Sequence, residues 1–225
     1  MNAPITDPAV TLTDYALAVE CAVIVILLIR SDASDRELRF WFVVFFASAC
    51  LASLLGGTVH GFFKEADSAG RAILWPATLL SILVTGLAAW LAATLLQLQG
   101  NMATMARRAG LAVMALLAML VLFVTRAFFV AIIAYLPATA FLLLSIVAAY
   151  RRSKARALRW GILGLTLTFL AAGVQHFHVA IHHVYFDHNA LYHVIQGVAL
   201  WMIFRAARYL STVRPPIRRL HAHSA

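Results

Sequence analysis

Apolar runs too long for any globular core recur along this chain, and they leave it one solvent to fold in. Seven of them are predicted at roughly 12–29, 39–63, 72–97, 107–124, 128–150, 158–183 and 189–210. At 1.5 Å per residue, about 20 residues cross a hydrocarbon core of about 30 Å. Inside that core the backbone must satisfy its own polar groups, so the spans are read as helices. The period-2 alternation of a membrane barrel is absent. The stretch from Gly110 to Tyr150 is too long for one crossing. Thr125 and Arg126 are its only polar break and mark the turn between two. Composition agrees: a chain of 225 residues that is 63% hydrophobic and 12% charged carries more apolar side chain than a soluble domain of that size buries.

Charge orients the bundle. The net charge of +9 is not a nucleic-acid signature, because the basic residues sit in the loops between apolar runs. Arg30, Arg36 and Arg39, Arg107 and Arg108, Arg151, Arg152, Lys154, Arg156 and Arg159, and five arginines from Arg205 to Arg219 all fall on one side. Lys64, Arg71 and Arg126 fall on the other. The positive-inside rule then puts the N-terminus outside and the C-terminus in the cytoplasm. The expected fold is all-α: a multi-pass seven-transmembrane helix bundle over 1–211 with a short basic cytoplasmic tail at 212–225. It belongs in a cell membrane, the inner one if the source is bacterial. Residues 1–14 hold no Lys or Arg, so the basic start of a cleavable signal is missing. Cys21 and Cys50 lie inside apolar runs and read as small buried residues, without a disulfide.

Seven of the nine histidines gather toward the outside. His60 is near the outer end of the second span. His176, His178, His182 and His183 close the sixth, His188 follows in the loop, and His193 is one turn into the seventh. His221 and His223 stand apart in the tail. His178 and His182 are four apart and share a face, as do Asn189 and His193, with Gln196 one turn further on. Imidazole is the commonest transition-metal ligand, and three ligands with one open position is the arrangement of catalytic zinc. The candidate ligands are His60, His193, His182 and His178. Glu65, Asp67 and Asp187 are candidates to activate a bound water. His183 and His188 read equally well as loop residues in water. Glu20, well inside the first span, is a separate signal: a carboxylate there needs a partner, a proton or a cation.

Two short segments carry a family resemblance. Gly57-Thr58-Val59-His60 and Asn189-Ala190-Leu191-Tyr192-His193-Val194-Ile195 resemble the second- and seventh-helix motifs of the CREST superfamily, which includes the alkaline ceramidases and the adiponectin-receptor-like proteins. The resemblance implies a seven-span fold with zinc toward the N-terminal side. It implies ligands from one histidine of the second helix and a His-x-x-x-His pair of the seventh, and cleavage of lipid amide bonds. This sequence departs from the pattern. Asn189 stands in the place of the first histidine of the pair, and Gly56 in that of a serine. Arg71 takes the position of an aspartate, with Asp67 four residues early. A third zinc ligand would then come from His182 or His178.

Two functions compete at this stage. One is a zinc-dependent hydrolase of lipid-like amides or esters, drawing its substrate from the outer leaflet. The other is a non-enzymatic metal-binding, pH-sensing or lipid-binding membrane protein, which the changes at Asn189 and Gly56 favour. A bis-histidine haem protein ranks below both, since no histidine lies near the inner end of any span. A channel lacks a line of polar residues across the bilayer.

Overall fold

The computed structural model describes residues 5–182 and 185–213; His183 and the basic tail from 214 on lie outside the described residues. Among the described residues there are seven helices: α1 (Pro8–Arg30), α2 (Arg36–Phe62), α3 (Ala69–Gln97), α4 (Gly100–Phe123), α5 (Phe128–Ser153), α6 (Arg156–His176) and α7 (His188–Thr212). Each is long and apolar enough to cross a membrane. The protein is an all-α, multi-pass membrane protein. The break at Thr125 and Arg126 falls between α4 and α5, as the sequence implies. Cys21 and Cys50 are free thiols.

Six helices close a ring in the order α1, α2, α3, α5, α6, α7, and α7 returns to α1. α4 packs outside it, chiefly on α3, and turns Leu111, Leu116 and Phe123 outward. An apolar surface on such a helix is what a lipid environment covers, so it needs no protein partner. Toward the C-terminal face the ring interior is dry and aromatic. Phe42, Phe45 and Phe46 of α2 meet Leu28 of α1, Ile146 of α5 and Leu158 of α6, all fully buried. Toward the N-terminal face the interior turns polar, with Asp14, Thr168 and Gln196 buried. The functional candidates stand in that half.

Two helix ends differ from the sequence reading. α4 starts at Gly100 rather than 107, because its first two turns project beyond the apolar run and carry Arg107 to an ion pair with Glu37 at 2.9 Å. α6 stops at His176 rather than 183. The chain leaves the helix through a Schellman turn, in which the Val179 N–H donates to the Val174 carbonyl at 3.0 Å and the His178 N–H to that of Gln175 at 3.4 Å. His178 occupies the left-handed position of that turn, at φ 54°. Beyond it His182 pairs with Phe186 in a short antiparallel bridge. His178 and His182 are therefore not on one helical face.

A β-carbon in the left-handed region is strained, and glycine is the residue that usually fills this position. His178→Gly is expected to stabilise the protein by about 1 kcal/mol, read as a higher unfolding temperature in detergent. A loss of stability would mean that the His178 ring holds the turn together.

Candidate functional site

α1 and α7 close the ring with a buried polar contact that crosses between them. The Nε2 of His193 lies 3.2 Å from Oδ1 of Asp14, and the two side chains are 12% and 6% exposed. On the far edge of the ring, His193 Nδ1 is 3.2 Å from the Thr13 hydroxyl. That hydroxyl has a single proton, and it donates to the Ala9 carbonyl at 2.8 Å, the usual habit of threonine in a helix. Nδ1–H must then donate to Thr13 Oγ1. Only Nε2 and Asp14 remain to share the titrating proton. The pair is a carboxylic acid facing a neutral imidazole, or a carboxylate facing an imidazolium. Its net charge is zero either way, which is what a low-dielectric interior tolerates.

α2 makes room for this pair by having no side chains where it passes. A β-carbon on Gly57 would lie 2.8 Å from Asp14 Cβ and 3.1 Å from the Tyr15 ring. One on Gly56 would lie 3.5 Å from Asp14 Oδ2, an ordinary contact. Above them the start of α1 is fastened to the end of α2 by Thr6 N–H to the Gly61 carbonyl at 3.0 Å, and by Lys64 to Asp7 at 2.8 Å.

The other candidates sort themselves around this centre. His60, in the last turn of α2, is half-buried and sits edge-on to Trp75 at 6.4 Å between ring centres. Asp187 caps α7: its Oδ1 accepts from Ala190 N–H at 2.9 Å and its Oδ2 from the Asn189 amide at 3.3 Å. The Asn189 carbonyl oxygen accepts from Gln175 at 2.6 Å, tying the end of α6 to the start of α7. Gln196 faces the bundle interior, where its amide reaches Thr168 at 3.4 Å and stands within reach of the Tyr135 hydroxyl. Its Oε1 is buried without a hydrogen-bond partner. Asn189, His193 and Gln196 thus share a helix but serve three different neighbourhoods.

His178 and His182 lie on the exposed connection between α6 and α7. The His178 ring faces His188 at 4.5 Å, and His182 Nδ1 accepts from Tyr185 N–H at 3.1 Å. Glu65 and Asp67 are exposed in the connection between α2 and α3. Among the described residues no three His, Cys, Asp or Glu side chains converge as ligands of one metal ion. The sequence reading missed Asp14 and Thr13. Hydropathy treats a charge near the start of a run as its flank, whereas α1 begins at Pro8 and takes Asp14 two turns inside.

A groove opens sideways from His193 toward the surrounding lipid. It is a cavity of about 520 Å³ between α1, α6 and α7, with Thr13, Glu20 and His193 as its polar groups toward one end and Trp160, Trp201 and Arg205 at the other. Glu20 lies over Gly197, whose β-carbon, if present, would be 2.8 Å from Glu20 Oε2.

Residues 9–212 match the family model described as a family of unknown function (DUF6962). The chain belongs to that family. The match runs from the first turn of α1 to the end of α7, so the DUF6962 unit is the whole ring together with Asp14, Thr13 and His193. No curated protein and no solved structure matches the chain.

The two glycines separate in a simple test. Gly57→Ala forces α1 and α2 apart and is expected to cost about 1–3 kcal/mol of stability, measured by thermal unfolding in detergent. Gly56→Ala, which meets Asp14 at ordinary distance, is expected to leave the unfolding temperature nearly unchanged.

Proposed function

We propose that this DUF6962 protein binds a lipid-like molecule in the groove between α1 and α7, with the ligand's polar group at Thr13, His193 and Glu20. The observation that carries this reading is the groove itself, an apolar trough facing the bilayer with Thr13, His193 and Glu20 as polar side chains along its lining. Thr13 and His193 already have partners within the protein, whereas Glu20 has no hydrogen-bond partner among the described residues, and a polar group facing hydrocarbon is unfavourable unless a partner satisfies it. A ligand that arrives through the bilayer with an apolar body and a hydroxyl, amide or ester group supplies both surfaces. His193 suits such a group, since its pair with Asp14 stays neutral overall in either protonation state. Glu20 calls for a hydrogen-bond donor. By the positive-inside rule this end lies outside the cytoplasm, which favours a ligand of the outer leaflet.

A second reading, a zinc-dependent hydrolase of lipid-like amides or esters, has one geometric point in its favour. Two ligands about 2.0 Å from a tetrahedral zinc stand about 3.3 Å apart, close to the 3.2 Å between His193 Nε2 and Asp14 Oδ1. The donors as placed do not complete a site. Catalytic zinc takes three protein ligands, His60 stands outside that pair, and both Asp187 oxygens are engaged. No metal-dependent step is therefore derived.

Lipid extraction and metal analysis of the purified protein separate the readings. Binding predicts a lipid species enriched about tenfold over the surrounding membrane, and its loss in Glu20→Leu, which removes a hydrogen bond of about 0.5–1.5 kcal/mol. Bulk-membrane composition in both proteins overturns the binding reading. One zinc per chain, lost in His193→Ala, together with turnover of a lipid amide or ester, would instead support the hydrolase.

A further inference from the structure

The groove's other end carries a feature that the site at His193 does not use. At the C-terminal face a second cavity, of about 450 Å³, lies against α6 and α7 and holds Arg205, Arg208, Tyr209 and Thr212. Trp201 and Arg205 line both cavities, so the two adjoin at those side chains. The two arginines are three residues apart on α7 and face the same cavity. Like charges so spaced repel each other on a helix. Among the described residues neither is in an ion pair with a carboxylate, whereas Arg107 is matched by Glu37. The Arg205 guanidinium lies over the Trp160 ring, 5.0 Å from its centre, a cation–π contact that leaves its N–H groups without a carboxylate partner among the described residues.

Depth narrows the occupant. Arg205 and Arg208 are seven and four residues from the end of α7, or roughly 10 and 6 Å along the axis. That is the headgroup level of a helix whose end emerges from the membrane, and Trp160 and Tyr209, four and three residues from the ends of their helices, suit the same level. Two guanidinium groups there match a phosphate, which takes paired N–H donors. The walls beyond them, Trp201 and Phe204, lead into the apolar groove and match an acyl chain.

We infer that the cavity at Arg205 and Arg208 is a binding site for an anionic phospholipid of the cytoplasmic leaflet. Its headgroup phosphate sits on the two arginines and one acyl chain runs past Trp201 into the groove. Charge complementarity selects an anionic lipid over a zwitterionic one, and the groove selects a lipid over a free anion. The site stands whether or not a second ligand occupies the His193 end, because none of its polar groups belongs to that end.

The test is native mass spectrometry of the full chain in mild detergent, offered phosphatidylglycerol and phosphatidylcholine of identical chains in equal amounts. The wild type should retain one phosphatidylglycerol in about tenfold or greater preference. R205Q/R208Q should fall to parity. R151Q/R152Q, on the same face but outside the cavity, should keep the preference. No preference in the wild type, preference retained in R205Q/R208Q, or equal loss in R151Q/R152Q would each overturn the site. Displacement of the lipid by inorganic phosphate would overturn the choice of a lipid. If R205Q/R208Q does not fold, chain-brominated lipids in nanodiscs serve with the wild type alone. Brominated phosphatidylglycerol should quench the tryptophan fluorescence more than brominated phosphatidylcholine, and equal quenching contradicts the proposal.

Discussion

A carboxyl group and an imidazole buried in a hydrocarbon solvent have to solve their charge problem together, and in this protein that necessity joins the two ends of the chain. Asp14 belongs to the first helix and His193 to the last. Alone, each would need a partner, water or a change of protonation state. Together they form a unit of zero net charge, and Thr13 fixes its outer edge by accepting from the second ring nitrogen. The α1–α7 closure of the ring, the glycine of α2 that admits Asp14, and the tilt of His193 toward the groove all follow from placing that pair.

Polarity is distributed to match. The half of the bundle near the C-terminal face is filled chiefly with phenylalanine and aliphatic side chains, with the Arg107–Glu37 ion pair at its rim. The half near the N-terminal face carries amides, hydroxyls and the acid–imidazole pair, several of them in interhelical hydrogen bonds. The Asp187–Asn189–Gln175 chain joins α6 to α7, and Gln196 reaches Thr168 with one oxygen left over. A membrane bundle needs few such groups for stability, because hydrogen bonds between transmembrane helices contribute only about 0.6 kcal/mol on average. Their concentration at one level, beside a groove open to lipid, is the reason for reading that level as a ligand site.

The fold was legible in the sequence because hydropathy and loop charge are local signals that agree. Even the hardest division, at Thr125 and Arg126, falls where the polar break predicts. The site was legible only in part. His193 and Glu20 announce themselves as polar residues within apolar runs, and both line the groove. Asp14 does not, because its meaning depends on a partner at the opposite end of the chain and on where α1 begins. His178 and His182 mislead for the converse reason. Their spacing suits a helix face, but the backbone leaves the helix at His176 through a left-handed turn that composition does not reveal. The space that receives Asp14 is made by Gly57, where a β-carbon would collide, whereas one at Gly56 would meet Asp14 only at ordinary distance. Asn189 spends its amide on Asp187, the cap of α7.

The central claim is that Asp14 and His193 act as one unit, and a double-mutant cycle tests it most directly. The stabilities of the wild type, Asp14→Asn, His193→Gln and the double variant would be measured by reversible unfolding in detergent. Removing one member of a buried pair leaves the other unpartnered, so each single change should be costly and the second should add little once the first is made. The account predicts a coupling of at least about 1 kcal/mol between the two positions. Additivity within about 0.5 kcal/mol would contradict it, and would mean that the two side chains lie side by side without depending on each other.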